Sequence, residues 1–229
     1  GLTASGSGLS IGSFNASNQS NQLVSSTIVA TPEFTANGIT CPGNATSFSI
    51  TVNPTPSVAA ITDQTVCNNT STNAVIFTGS VSNTVFNWIN SISTIGLSNS
   101  GSGDIQAFTA LNNGSTPITA QINVTPSYTN NNVSCPGTSQ SYTYTINPTP
   151  VVNNPGNQFA CESINTTSIV FGGTGNSYSW ASSNQSTGIP VIGSDNIPSF
   201  LTQNGSTFPV SSVITVTPYF NSTSTNSCP

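Results

Sequence analysis

The sequence predicts an all-β fold of tandem β-sandwich domains with a 94-residue period. Three observations carry this reading. The same landmarks return along the chain, apolar residues alternate in short runs, and turn-forming residues separate those runs. The stretch SCPGTSQSYTYTINPTP, ending at Pro150, repeats TCPGNATSFSITVNPTP, which ends 94 residues earlier at Pro56.

The cysteines set the phase. Cys41 and Cys135 are 94 residues apart, as are Cys67 and Cys161, while Cys135 and Cys228 are 93 apart. Phe77 in VIFTG matches Phe171 in IVFGG, and Trp88 in VFNW matches Trp180 in SYSW after a two-residue deletion. GLTASGSG at Gly1 matches GLSNSGSG at Gly96. Phe14, Phe108 and Phe200 align, as do the Thr-Pro pairs at 31–32, 125–126 and 217–218.

The repeat boundary falls at NPTP, residues 53–56 and 147–150. Pro54 and Pro56, like Pro148 and Pro150, cannot continue a central strand and favour a stiff, extended linker. Residues 57–150 are therefore expected to form one complete repeat. Residues 1–56 read as the C-terminal part of a repeat, and 151–229 as a repeat lacking its last strand. The length exceeds two periods by 41 residues. That surplus favours a segment of a longer array over a permuted subunit that polymerises by lending strands. Gly1 is followed by neither a charged region nor an apolar stretch, so no signal peptide begins there.

Within 57–150 the expected strands are, in order, SVAAITDQTV, NAVIFTG, TVFNWIN, IGLS, IQAFTA, ITAQINVTPSYT and SQSYTYTIN. Each is short, alternates apolar with polar residues, and is bounded by Gly, Asn, Pro or Ser. The third places Trp88 where an immunoglobulin-like sandwich buries a Trp, and Trp180 takes that position in the next repeat. Alternation is cleanest in the seventh, where Tyr142, Tyr144 and Ile146 share one face. No helical periodicity appears. Phe77 and Phe171 join the two Trp residues as expected core.

Composition narrows the function. The chain has no Lys, Arg or His, and five carboxylates: Glu33, Asp63, Asp104, Glu162 and Asp195. It is 2% charged, where a soluble domain averages about 25%. With 11 Phe, five Tyr and two Trp it can still build β cores, which argues against disorder. Nothing neutralises phosphates, so nucleic acid is excluded as a partner, and no polybasic patch meets anionic lipid. No apolar run is long enough for a membrane span. Trypsin-like proteases have no cleavage site, which suits an exposed extracellular polymer.

Catalysis needs a tuned base or nucleophile. His and Lys are absent and the carboxylates are scattered, so no enzyme activity and no cofactor are expected. Asp104 in SGSGD and Asp195 in GSDN could help ligate calcium, but such sites need six or more oxygens and several carboxylates, which favours turn formation. Trp88, Trp180, Tyr142 and Tyr144 could stack on sugars, but their place on strands favours core packing. Sequons at Asn15, Asn123 and Asn204 leave glycosylation open.

Together, QTVCNN, AVIFTG, FNW, IGLSNSGSGDIQAFTA, ITAQINVTPSYT, CPG and YTINPTP resemble the PKD-like, immunoglobulin-like repeats of very large Bacteroidota surface proteins, among them gliding-motility and other adhesins exported by type IX secretion. The resemblance covers essentially the whole chain, and NPTP with the TP–CPG spacing is its most specific part. It implies a non-enzymatic stalk or adhesin on the cell surface. Typical PKD domains carry a WDFGDG-like motif after this Trp, whereas INSIS follows Trp88 and ASSNQ follows Trp180.

A secreted chain oxidises its cysteines, and five leave at least one partner outside these residues. The obvious pairing is Cys67 with Cys135 inside one repeat. Topology argues otherwise. Eleven residues of extended chain from Pro56 span about 36 Å, which carries Cys67 to the far end of its domain. Cys135 precedes the last strand at the near end, and a disulfide needs Cα atoms within about 7 Å. The expected bond is therefore Cys67–Cys228, between domains, with Cys41, Cys135 and Cys161 paired outside the segment. Bonds within repeats and free thiols are the alternatives. The expected function is projection and load bearing, with neighbouring repeats of the same chain as partners. The rivals are a carbohydrate- or receptor-binding module, with surface glycans as ligands, and a self-associating filament subunit.

Overall fold

The computed structural model describes residues 1–221 and 227–229, and its regular structure is almost all strand. In residues 1–56, β1 (Val24–Ala30), β2 (Glu33–Ala36), β3 (Ile39–Pro42) and β4 (Thr46–Val52) form two antiparallel pairs, β1 with β4 and β2 with β3. A six-stranded sheet follows, built from β5 (Gln64–Cys67), β6 (Val85–Asn90), β7 (Ser100–Ser102), β8 (Ile118–Asn130), β9 (Val133–Pro136) and β10 (Gln140–Asn147). Its order is β5-β10-β8-β6-β7, with β9 also on β8. Only β5 lies parallel, pairing Tyr144 with Gln64 through Asn147 with Cys67. Finally β11 (Ser177–Ser182), β12 (Ile192–Ser194), β13 (Ile214–Asn221) and β14 (Ser227–Cys228) form a sheet ordered β12-β11-β13-β14.

Period-two sequence explains the central pair. On β8, Ala120, Ile122 and Val124 point inward and are fully buried; on β10 Tyr144 lies opposite Ala120, Tyr142 opposite Ile122 and Ile146 opposite Ile118. Between them the outward positions are polar, and the Thr119 and Thr145 hydroxyls meet across the strands at 3.1 Å. Val58, Val75, Phe77, Trp88, Ile95 and Ile105 pack onto the same apolar cluster. A smaller cluster joins Phe171, Trp180, Ile189 and Ile197 within residues 151–229.

Several expected strands are corrected. Of SVAAITDQTV only residues 64–66 are strand, in β5, which runs on to Cys67; before them the chain is tied by Ala59 N–H to Thr78 O and by the Asp63 carboxylate, which accepts from Thr143 N–H. NAVIFTG and IQAFTA share a single bridge, Val75 with Ile105, and Thr109 makes another with Ser71 ahead of the first run, instead of a ladder. Side chains take the amides that a ladder would use: Asp104 Oδ1 accepts from Phe77 N–H, and Thr72 Oγ1 from Phe108 N–H. IGLS is a turn. Residues Ser93–Ile95 form a 3-10 turn that Gly96 ends at φ 93°, and the buried Asn90 amide donates to Ile92, Leu97 and Ser98 carbonyls. A second such turn, Gln185–Thr187, ends at Gly188 with φ 88°. Strands β7 and β9 were not expected, and Cys135 lies in β9, where a loop was expected.

Candidate functional site

The features that bear on function gather where one block of residues meets the next. The first junction is built by the NPTP and CPG motifs. Pro54 and Pro56 are fully buried. Gly137 has no side chain because any Cβ would collide with the Pro56 carbonyl and crowd Pro126. Thus the Pro of Thr-Pro, the Gly of Cys-Pro-Gly and the last Pro of NPTP meet at one point. Asn53 completes the contact. Its amide donates to Val133 O at 3.2 Å, and its carbonyl accepts from Asn130 at 3.1 Å.

At the second junction Cys67 and Cys228, 161 positions apart in sequence, form a disulfide with Cα atoms 5.5 Å apart. Cys67 ends β5 opposite Asn147 on β10. Cys228 is almost fully buried, and the Asn147 amide points at its Sγ from 3.7 Å. Asn68, next in sequence, donates its backbone N–H to Asn147 O and its side-chain amide to Thr149 Oγ1, each at 2.9 Å. Its carbonyl accepts from Asn112 N–H at 2.8 Å. Asn112 in turn, 2% exposed, donates to Thr116 O and Ile146 O and accepts from Gly114 N–H. The bond thus sits on a polar frame whose members hold one another. Pro148 and Pro150 are buried beside it. Cys41 and Cys161 are exposed and Cys135 half-buried, and none is bonded within the described residues.

The remaining sequence candidates lie elsewhere. Trp88 and Trp180 are each 6% exposed and lie across a bare glycine of the neighbouring strand, Gly101 and Gly193 respectively. Trp88 Nε1 donates to Gly103 O, while Trp180 Nε1 has no partner among the described residues. Tyr142 and Tyr144 meet edge to face with centroids 5.4 Å apart, and neither hydroxyl has a hydrogen-bond partner there. Burial pushes both phenols above their ordinary range. Asp104 serves a turn through Phe77 N–H. The position with that role in the later block is Asn196, which accepts from Phe171 N–H, and not the adjacent Asp195, exposed with φ 56°. Among the described residues no three His, Cys, Asp or Glu gather as a metal site would require. Asn15 is exposed, Asn123 is half-buried in mid-β8, and Asn204 is half-buried with its amide tied to Phe208 O.

The asparagines of the frame were missed from sequence, although a signal exists. Asn18, Asn112 and Asn204 each follow an aligned Phe by four residues, and each closes a small loop through its own side chain. Protein-family models and curated proteins, compared with this chain, give no match.

Proposed function

We propose that these residues are a segment of tandem immunoglobulin-like, PKD-like repeats, period 94, from a secreted cell-surface adhesin or filament that projects and bears load. The observation that carries the proposal is the Cys67–Cys228 bond, which joins a strand of residues 57–150 to a strand of residues 151–229. A covalent tie of that kind suits a stiff rod. Recurrent contacts support the repeat itself: Trp over Gly at 88 and 101 returns at 180 and 193, and the Val75–Ile105 bridge returns as Ile169–Ile197. Cys41 and Cys135 stand at the sequence position of Cys228, and Cys161 at that of Cys67. Each therefore takes a partner in a neighbouring repeat of the longer chain.

The test uses antibodies raised against residues 57–150 on intact and on permeabilised cells of the source organism. Label on intact cells that a protease without need of Lys or Arg strips away is the expected result. Label that appears only after permeabilisation sinks the surface assignment. Electron microscopy of the oxidised 229-residue chain supplies the second readout, with straight particles of constant length expected and freely bent ones counting against a load-bearing rod.

A further inference from the structure

The disulfide changes which parts of the chain can feel tension. We infer that Cys67–Cys228 is a strain limiter: it removes the chain between these two cysteines from the load path, so that their domains can unfold without lengthening the molecule. The inference deepens the load-bearing reading above and rests on it.

Tension applied through the N-terminal side reaches the middle sheet at Pro56, runs along residues 57–67, crosses the sulfurs, and leaves at Cys228. Within that sheet only β5 lies on the path. Strand β5 is parallel to β10, with four residue pairs in register. Asn68, immediately past the cysteine, is fixed to Asn147 and Thr149 at the end of β10. A pull on β5 is therefore passed sideways to β10 in shear, while β6, β7, β8 and β9 hang in a closed covalent loop. Neither apolar core, around Trp88 or around Trp180, needs to resist force. The loop encloses 161 residues of sequence separation. At roughly 3.3–3.6 Å per extended residue, it withholds about 550 Å of length.

Opening the loop takes two electrons. A dithiol such as dithiothreitol supplies them with two protons, the S–S bond becomes two thiols, and the reagent closes its own cyclic disulfide. Single-molecule extension of the 229-residue chain, tethered at its two termini, reads the result directly. Cys41, Cys135 and Cys161 are replaced by Ser so that no other thiol exchanges. The oxidised chain should stop lengthening near 230 Å, the reach of its first 67 residues at roughly 3.4 Å each. Added dithiothreitol should release about 550 Å more, by the same reach per residue. The Cys67→Ser chain should reach full length without reductant. An oxidised chain that extends fully before reduction overturns the inference.

The wild-type chain, with all five cysteines, gives a separate arm. Release of about 230 Å there indicates a Cys67–Cys135 or Cys161–Cys228 loop at the same reach per residue, and also overturns it. Neither outcome touches the surface-labelling test, so failure of the limiter and failure of the adhesin reading are told apart.

Discussion

At Gly101 and Gly193 a missing side chain makes room for the ring above it. Trp88 and Trp180 fill the space that a Cβ would need, so the glycines are part of the indole site. Gly101→Ala should destabilise residues 57–150 by about 1–3 kcal/mol, the cost of overpacking a closed site. Trp88→Ala should cost more, about 3–5 kcal/mol, by leaving a cavity. Denaturant melts of the 229-residue chain followed by circular dichroism measure both, and an unchanged midpoint for either removes that side chain from the core. The buried tyrosines give a second test at this scale. Their raised pKa values mean that the folded chain keeps protons above pH 10 that the unfolded chain has released. Their contribution is whole below about pH 10, the ordinary phenol pKa, and is lost as pH rises beyond it. The slope is at most about 1.4 kcal/mol per pH unit for each tyrosine. The chain has no lysine to titrate in the same range. With the three unbonded cysteines changed to Ser, stability measured from pH 9 to 12 should fall, and the Tyr142→Phe/Tyr144→Phe chain should stay flat. A wild-type chain that is equally flat contradicts the burial argument.

Elements were legible where one residue type repeats on one face. β8 and β10 follow from alternation of apolar and polar residues, and β6 from Phe86, Trp88 and Asn90 facing inward. The runs at 73–79 and 105–110 alternate too, yet they form only bridges, because Asp104 and Thr72 side chains occupy amides that a ladder would have paired. Alternation reports which face is apolar and says nothing of what the backbone bonds to. β7 was hidden because SGS carries no apolar residue at all. It exists because Gly101 must lie under Trp88, a relation between distant residues that no local pattern displays. The same limit hid the asparagine frame, while the cysteine pair was legible from the reach of the chain after Pro56 taken with the order of the strands. For residues 1–56 the strand pairs leave an uncovered face. Phe48 and Val24, which occupy the places of buried Tyr142 and half-buried Ile118, are 47% and 44% exposed. Two-stranded pairs are marginal in water. The isolated 1–56 fragment should therefore give an amide spectrum of narrow dispersion, and a well-dispersed one would show that it folds unaided.

Across the molecule the two apolar clusters differ in size, and the disulfide ties their fates. Among the described residues, fifteen buried ones form the cluster of residues 57–150, against four in that of residues 151–229. Stability follows buried apolar area, so the smaller block should melt first if it is free to do so. While Cys67 holds Cys228, β14 stays covalently fixed beside Asn147 and the smaller block unfolds only as a closed loop. Cross-linking a loop of this length removes about 5 kcal/mol of unfolded-state entropy in the chain-entropy account. In calorimetry the oxidised chain should show its two transitions close together. Cys67→Ser should separate them, lowering the transition of residues 151–229 well below that of residues 57–150. Trp180→Ala in the Cys67→Ser chain identifies the lower peak, since it should shift that peak alone. If Cys67→Ser leaves the thermogram unchanged, the bond holds the blocks together without stabilising either, and the coupling argument fails.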